Sequence, residues 1–138
     1  MVVIPLAALA LWACQPEANT DAIAPAAQVE HVDGTGLNRV TLTAQAAQRL
    51  DIQTASVEAV AGPGPVTSAV PYGAVIYDAR GDTWVYTGTE DLTFVRHAVS
   101  IESIEGDRAY LSDGPEAGTP VVTVGAAELF GTEFEGIR

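Results

Sequence analysis

The chain has no lysine, one cysteine and one methionine, and neither Lys nor Arg precedes its first apolar run. A lone cysteine excludes an internal disulfide framework. Without lysine there is no P-loop ammonium to reach a nucleotide phosphate, so Asp33-Gly34-Thr35-Gly36 is discounted as a phosphate loop. The apolar run Val2–Leu11 is about ten residues long, short of the ~20 that a helix needs to cross hydrocarbon. Positive charge is scarce: six arginines face 18 acidic residues, for a formal net charge of −12. Such a surface repels phosphate backbones and anionic head groups, which argues against nucleic acid and against unaided docking on an acidic membrane. At 138 residues, 48% of them hydrophobic, the chain has material for one folded domain.

What is present begins at the amino end. Leu11-Trp12-Ala13-Cys14 closes the uncharged apolar run with a small residue just before the cysteine. An Ala/Pro-rich polar tract follows. The pattern resembles a bacterial lipoprotein signal, and departs from it in having no basic residue ahead of the apolar run. The resemblance implies that residues 1–13 are a signal peptide, that Cys14 becomes the first residue and carries diacylglyceryl lipid, and that the mature chain is held by two or more acyl chains. The alternative is a buried amino-terminal element with one core cysteine. Residues 14–36, rich in Ala, Pro, Asp, Glu, Asn and Thr, are expected to form a flexible tether, the alternative being an ordered extension lying on the domain, and residues 37–138 a single domain.

Within that domain the expected fold is mainly β, a small antiparallel sheet or partly open barrel with one or two short helices. Val40–Leu42 predicts a strand, and Thr43 a cap for a brief helix with Ala46, Ala47 and Leu50 along one side. Alternation over Thr54–Ala59 predicts a strand with one wet face, ended by Gly62-Pro63-Gly64-Pro65. Short strands are expected at Ala74–Tyr77, Thr83–Thr87, Leu92–Ile101, Arg108–Ser112 and Val121–Val124, with a helical turn at Ala126–Phe130. In these strands Trp84 and Tyr86 share a face opposite Val85, and Val95, Val99 and Ile101 share another.

Taken in order, Pro71-Tyr72-Gly73-Ala74-Val75-Ile76, Trp84-Val85-Tyr86, Phe94-Val95-Arg96-His97-Ala98-Val99, Gly114–Val122 and Gly125-Ala126-Ala127-Glu128-Leu129 resemble the membrane-proximal domain of periplasmic adaptor subunits (membrane fusion proteins) of RND-type efflux pumps. Val40–Thr43 through Gln48–Ala55 is similar to that family's stretch before its first core strand. Together the matches cover about two-thirds of the chain. The family's lipoyl-like sandwich, helical hairpin and separate barrel are missing, and Gly62–Ser68 joins the two matching segments directly. Pro115 and Thr119-Pro120 also depart from the family pattern. The resemblance implies a periplasmic, lipid-anchored accessory or reduced adaptor, held at the inner membrane, whose partners are an RND-type transporter or other adaptor subunits.

No catalytic constellation is visible, and the chain is read as a non-enzyme with no cofactor besides the lipid on Cys14. There is no Gly-x-Ser-x-Gly elbow, and neither His31 nor His97 has a third ligand or a triad context. His97 alternates with Val95 and Val99, which suggests a satisfied core or barrel-wall histidine and not a ligand. Glu102/Glu105 and Asp78/Asp82 read as solvated turn residues. Metal handling through methionine, as in copper and silver pump adaptors, is disfavoured because Met1 is the only methionine. Trp84 and Tyr86 are the best partner-binding candidates, since such rings supply much of the energy of protein contacts; the competing reading is that both cover the sheet core. Two other functions stay open: a solute- or cation-binding envelope lipoprotein, and a structural envelope lipoprotein unrelated to a pump.

Overall fold

A computed structural model describes residues 26–135. Strands β1 (Ala27–Val32) and β2 (Leu37–Leu42) form an antiparallel hairpin with Val29 opposite Val40. Its loop is built from the Asp33–Gly36 segment: Gly34 and Gly36 both take positive φ, and the Thr35 hydroxyl donates to the Val32 carbonyl. Residues 27–36, placed ahead of the expected boundary at 37, are thus part of the larger sheet. Val29 packs against the core and Thr43 N–H donates to the Ala26 carbonyl, so this part of the expected tether is tied down.

Helix α1 (Ala44–Arg49) follows, and its Thr43 hydroxyl accepts from Ala46 N–H at 3.1 Å. Such a cap stabilises a helix by ~1 kcal/mol. The helix ends in a pair of bonds, Ile52 N–H to the Ala47 carbonyl and Asp51 N–H to the Gln48 carbonyl, with Asp51 at φ 51°. Asp51 thus takes the left-handed position that usually falls to glycine.

The predicted strand over 54–59 splits. β3 (Gln53–Ser56) and β4 (Glu58–Ala59) join different sheets, and Val57 between them exchanges backbone bonds with Thr119 and Gly118. β5 (Ser68–Pro71), a single 3₁₀ turn (Tyr72–Ala74) and β6 (Ile76–Tyr77) come next. Then follow β7 (Thr83–Glu90), β8 (Thr93–Ala98), β9 (Ser100–Glu105), β10 (Arg108–Asp113) and β11 (Pro120–Val124). The expected helical turn at Ala126–Phe130 extends through Glu135 as α2 (Ala126–Glu135).

All pairings are antiparallel. The larger sheet runs β1-β2-β8-β7-β11-β3 with β6 also on β7, and the smaller runs β4-β5-β10-β9. Neither closes into a barrel, so of the two architectures foreseen the open antiparallel one is present, with both short helices. The central strands β7 and β11 of the larger sheet are buried on both sides. On one face Val40, Tyr86, Phe94 and Val122 pack with Ala46, Ala126 and Leu129 of the helices. On the other, Val85 and Val121 meet Val70, Ala109 and Leu111 of the smaller sheet. That is why Val85-Tyr86 and Val121-Val122 are adjacent buried pairs: neighbouring side chains point into different cores.

The long strand predicted over Leu92–Ile101 is two strands in different sheets, broken at Val99. Val99 and Ile101 do meet the inter-sheet core, but the core-facing residues of β8 are Phe94 and Arg96, and His97 is exposed with Nδ1 2.8 Å from the Ala98 carbonyl. The crossover inverts the alternation on which the reading of His97 as a core residue depended.

Gly125 sets the approach of β11 to α2. Its φ is 89°, its carbonyl accepts the Leu129 N–H, and a Cβ there would overlap Ile52 Cδ1 and lie 3.2 Å from the Leu50 carbonyl oxygen. Gly131, inside α2, has open space around it. Thermal or denaturant unfolding should therefore show opposite signs: Gly125→Ala loses ~1–2 kcal/mol from the left-handed backbone alone, and Gly131→Ala gains ~0.5–1 kcal/mol of helix propensity. Equal effects at the two sites would contradict this account of the junction.

Candidate functional site

The most unusual chemistry in the fold is a charged pair inside the helix-covered core. Glu133, on the inner side of α2, is completely buried, and Arg96 of β8 retains 7% of its surface. Arg96 Nε donates to Glu133 Oε1 at 3.0 Å and Oε2 at 2.8 Å. The Tyr86 hydroxyl donates to Oε2 at 2.6 Å, and Asn38 Nδ2 to Oε1 at 3.4 Å. Taking an ion out of water costs several kcal/mol, recovered only where a partner and hydrogen bonds replace the lost solvent. Here β2, β7 and β8 each supply a donor to one carboxylate.

The cation is enclosed by rings. Arg96 Cζ lies 4.4 Å from the centre of the Trp84 ring, 5.1 Å from that of Phe134 and 5.8 Å from that of Phe130. Ring faces are electronegative and attract a guanidinium that carries little water. The two phenylalanines, one helical turn apart, have their centroids 4.7 Å apart. Burial, followed by the adjacent carboxylate, pushes the Tyr86 phenol far above its ordinary ionisation range, so it remains a donor.

Trp84 links this cluster to a rigid turn. Its Nε1–H donates to Asp78 Oδ2 at 3.0 Å, and Asp78 Oδ1 accepts the backbone N–H groups of Arg80 and Asp82, each at 2.9 Å. These bonds, the indole's first, hold the Asp78 carboxyl below its ordinary value of 3.8 against a smaller opposing effect of desolvation. Between this turn and α2 runs an open groove of about 320 Å³, lined by Asp78, Ala79, Arg80, Phe130 and Phe134. Phe134 is 47% exposed, and Arg80 reaches into solvent with Asp82 3.8 Å away.

The partner-binding candidates of the sequence are thus separated. Tyr86 is fully buried and serves Glu133, so its ring is closed to a partner in this fold, whereas Trp84 is half-buried behind Arg96. They share a face as expected, but α2 covers it. Among the described residues the large aromatics left at the surface are Phe134, Tyr72 and Tyr77. Asp78 and Asp82 hold a turn, Glu102 and Glu105 are exposed, and His31 lies on the surface with Nδ1 3.3 Å from Asn38 Oδ1. Cys14 lies outside the described residues. Among the described residues no three His, Cys, Asp or Glu side chains gather as a metal site would require.

Sequence reasoning missed Glu133, Phe130 and Phe134. Their signal was the spacing Ala126, Leu129, Glu133: one helical stripe in which the carboxylate takes an apolar position. Arg96 was noticed only within a motif, because an inward-facing arginine breaks the usual alternation. What the arrangement offers is a fixed aromatic and charged surface. At its centre Arg96, Glu133 and Tyr86 bond one another inside the protein. Compared with known protein families, curated proteins and solved structures, the chain matches none.

Two measurements test this account. Glu133→Gln or Arg96→Met alone should cost ~3–5 kcal/mol in denaturant unfolding, because each strands a buried charge or its donors. The combined Arg96→Met, Glu133→Leu, Tyr86→Phe variant should recover most of that loss; additive losses would mean that the groups act independently. For Asp78 the folded value is depressed, so its contribution is fully present above 3.8 and lost as pH falls through the lower folded value. Asp78→Asn should destabilise the protein near neutral pH and flatten the acid-unfolding profile below about pH 4. An unchanged acid limb would remove Asp78 from the cluster.

Proposed function

We propose that the chain is a lipid-anchored envelope protein, an accessory or reduced adaptor of an RND-type efflux transporter, working through protein contacts. The carrying observation is how the two adaptor-like segments meet. The first contributes β2 and β3, the second β8 and β11, and they pair as β2 with β8 and β3 with β11 in one sheet. The short connection that stands where the family has its other modules is a closed hairpin loop: β4 pairs with β5, and Val60 N–H bonds the Thr67 carbonyl. That the two adaptor-like segments pair in one sheet with only a hairpin between them supports a role separable from bridging two membranes.

On this reading Cys14 carries the lipid, and the tether holds the domain close to the bilayer, where a membrane-embedded partner is met at high effective concentration. The acidic surface, with its net charge of −12, steers the domain toward a basic patch on that partner. The ring-lined groove beside α2 provides the rigid apolar element that such contacts need. Among the described residues no helix is long and apolar enough to cross a membrane.

Tagged protein made in a host with the envelope machinery should fractionate with membranes and, after mild crosslinking, retain a transporter or adaptor component. Cys14→Ser should move it to the soluble fraction. Membrane association that survives Cys14→Ser refutes the anchor, and crosslinking that retains neither component refutes the partner.

A further inference from the structure

A second groove, of about 210 Å³, lies on the seam between the two helices. Leu42, Ala46 and Leu50 form its apolar wall, with Thr132 of α2 and Ala26 beside them and Arg49 at its edge. Arg49 differs from the other arginines of the described residues. Arg39 pairs with Glu30, Arg80 with Asp82, Arg96 with Glu133 and Arg108 with Glu58, whereas Arg49 has no carboxylate partner among these residues. An apolar recess beside an unbalanced cation fits an occupant that presents an aliphatic group next to an acid.

The chain itself carries that combination at the right distance. Ala26, which lines the groove, is the first described residue, and Asp21-Ala22-Ile23-Ala24-Pro25 leads into it. Ile23 is the one large aliphatic side chain between Cys14 and Ala26. Three residues span at most ~10 Å, enough to reach the groove and too little to pass far beyond it. Pro25 disfavours a helical conformation at Ala24, and on an extended path residues two apart point the same way. Asp21 then accompanies Ile23.

We propose that Ile23 seats in the groove of Leu42, Ala46 and Leu50 while Asp21 pairs with Arg49, docking the segment before Ala26 onto the helix seam. The docking itself does not depend on the lipid. Its consequence rests on the anchor proposed for Cys14: the free tether is shortened to the residues ahead of Asp21, which turns the α1–α2 side toward the bilayer and leaves the smaller sheet facing away.

The test uses the whole chain with Cys14→Ser, so that added cysteines are the only thiols. The Ile23→Cys, Leu50→Cys pair should form an intramolecular disulfide about tenfold faster than Asn19→Cys, Leu50→Cys, reflecting the higher local concentration of a docked residue. In the Cys14→Ser chain with no added cysteine, Ile23→Ser should speed amide exchange over residues 42–50 about tenfold, while Ala22→Ser leaves it unchanged. Equal crosslinking rates together with unaltered exchange overturn the proposal. Disulfides that form mainly between molecules also overturn it, since they make a second copy the occupant. Because both readouts are made without the lipid, their failure is distinct from failure of the anchor.

Discussion

The ion pair between Arg96 and Glu133 is the constraint around which the helical side of the fold is arranged. A carboxylate with no solvent access must find donors within the protein, and these come from Asn38 on β2, Tyr86 on β7 and Arg96 on β8. Meeting them fixes both the rotation of α2 and its position along the sheet. The same rotation that turns Glu133 inward brings Phe130 and Phe134 against the Arg96 guanidinium and leaves Phe134 half at the surface. The shape of the groove beside the Asp78 turn thus follows from an electrostatic requirement beneath it.

The rest of the architecture follows from a sheet whose central strands, β7 and β11, are covered on both faces. A chain of this size gains little margin from one small core, because surface dominates volume. Helices on one side and a second sheet on the other give the larger sheet two cores at once. The cost is topological. The chain must cross between sheets at Val57 and again at Val99, and both residues are buried in the inter-sheet core. In this architecture α2 is held by the buried contacts of Glu133, and the Asp78 turn by the Trp84 indole and its own backbone.

Several elements were legible in the sequence because their causes are local. Thr43 before an Ala-rich turn specifies a capped helix through one hydroxyl and one amide. The Asp78–Asp82 turn follows from an aspartate that bonds its own downstream backbone. The facing of Trp84 and Tyr86 against Val85 follows from the pleat. Other elements depended on distant partners. Residues 27–36 have the composition of a linker and become a hairpin because β2 gains a neighbour on each side, β8 as well as β1. His97 looks buried by alternation and is exposed because Val99 belongs to the other sheet.

By itself the sequence determined the strand-rich character, the places of most turns, the capped first helix and the strongly acidic surface, since each depends on side-chain volume, period or charge within a few residues. Only the tertiary structure decided that β3 and β4 part at Val57, that Tyr86 is a buried donor and no surface anchor, and that Glu133 is the centre of the molecule's charged cluster. Those outcomes turn on which residues meet across 37 to 95 positions of chain. A desolvated charge is satisfied by geometry in three dimensions, to which no local pattern of residues is equivalent.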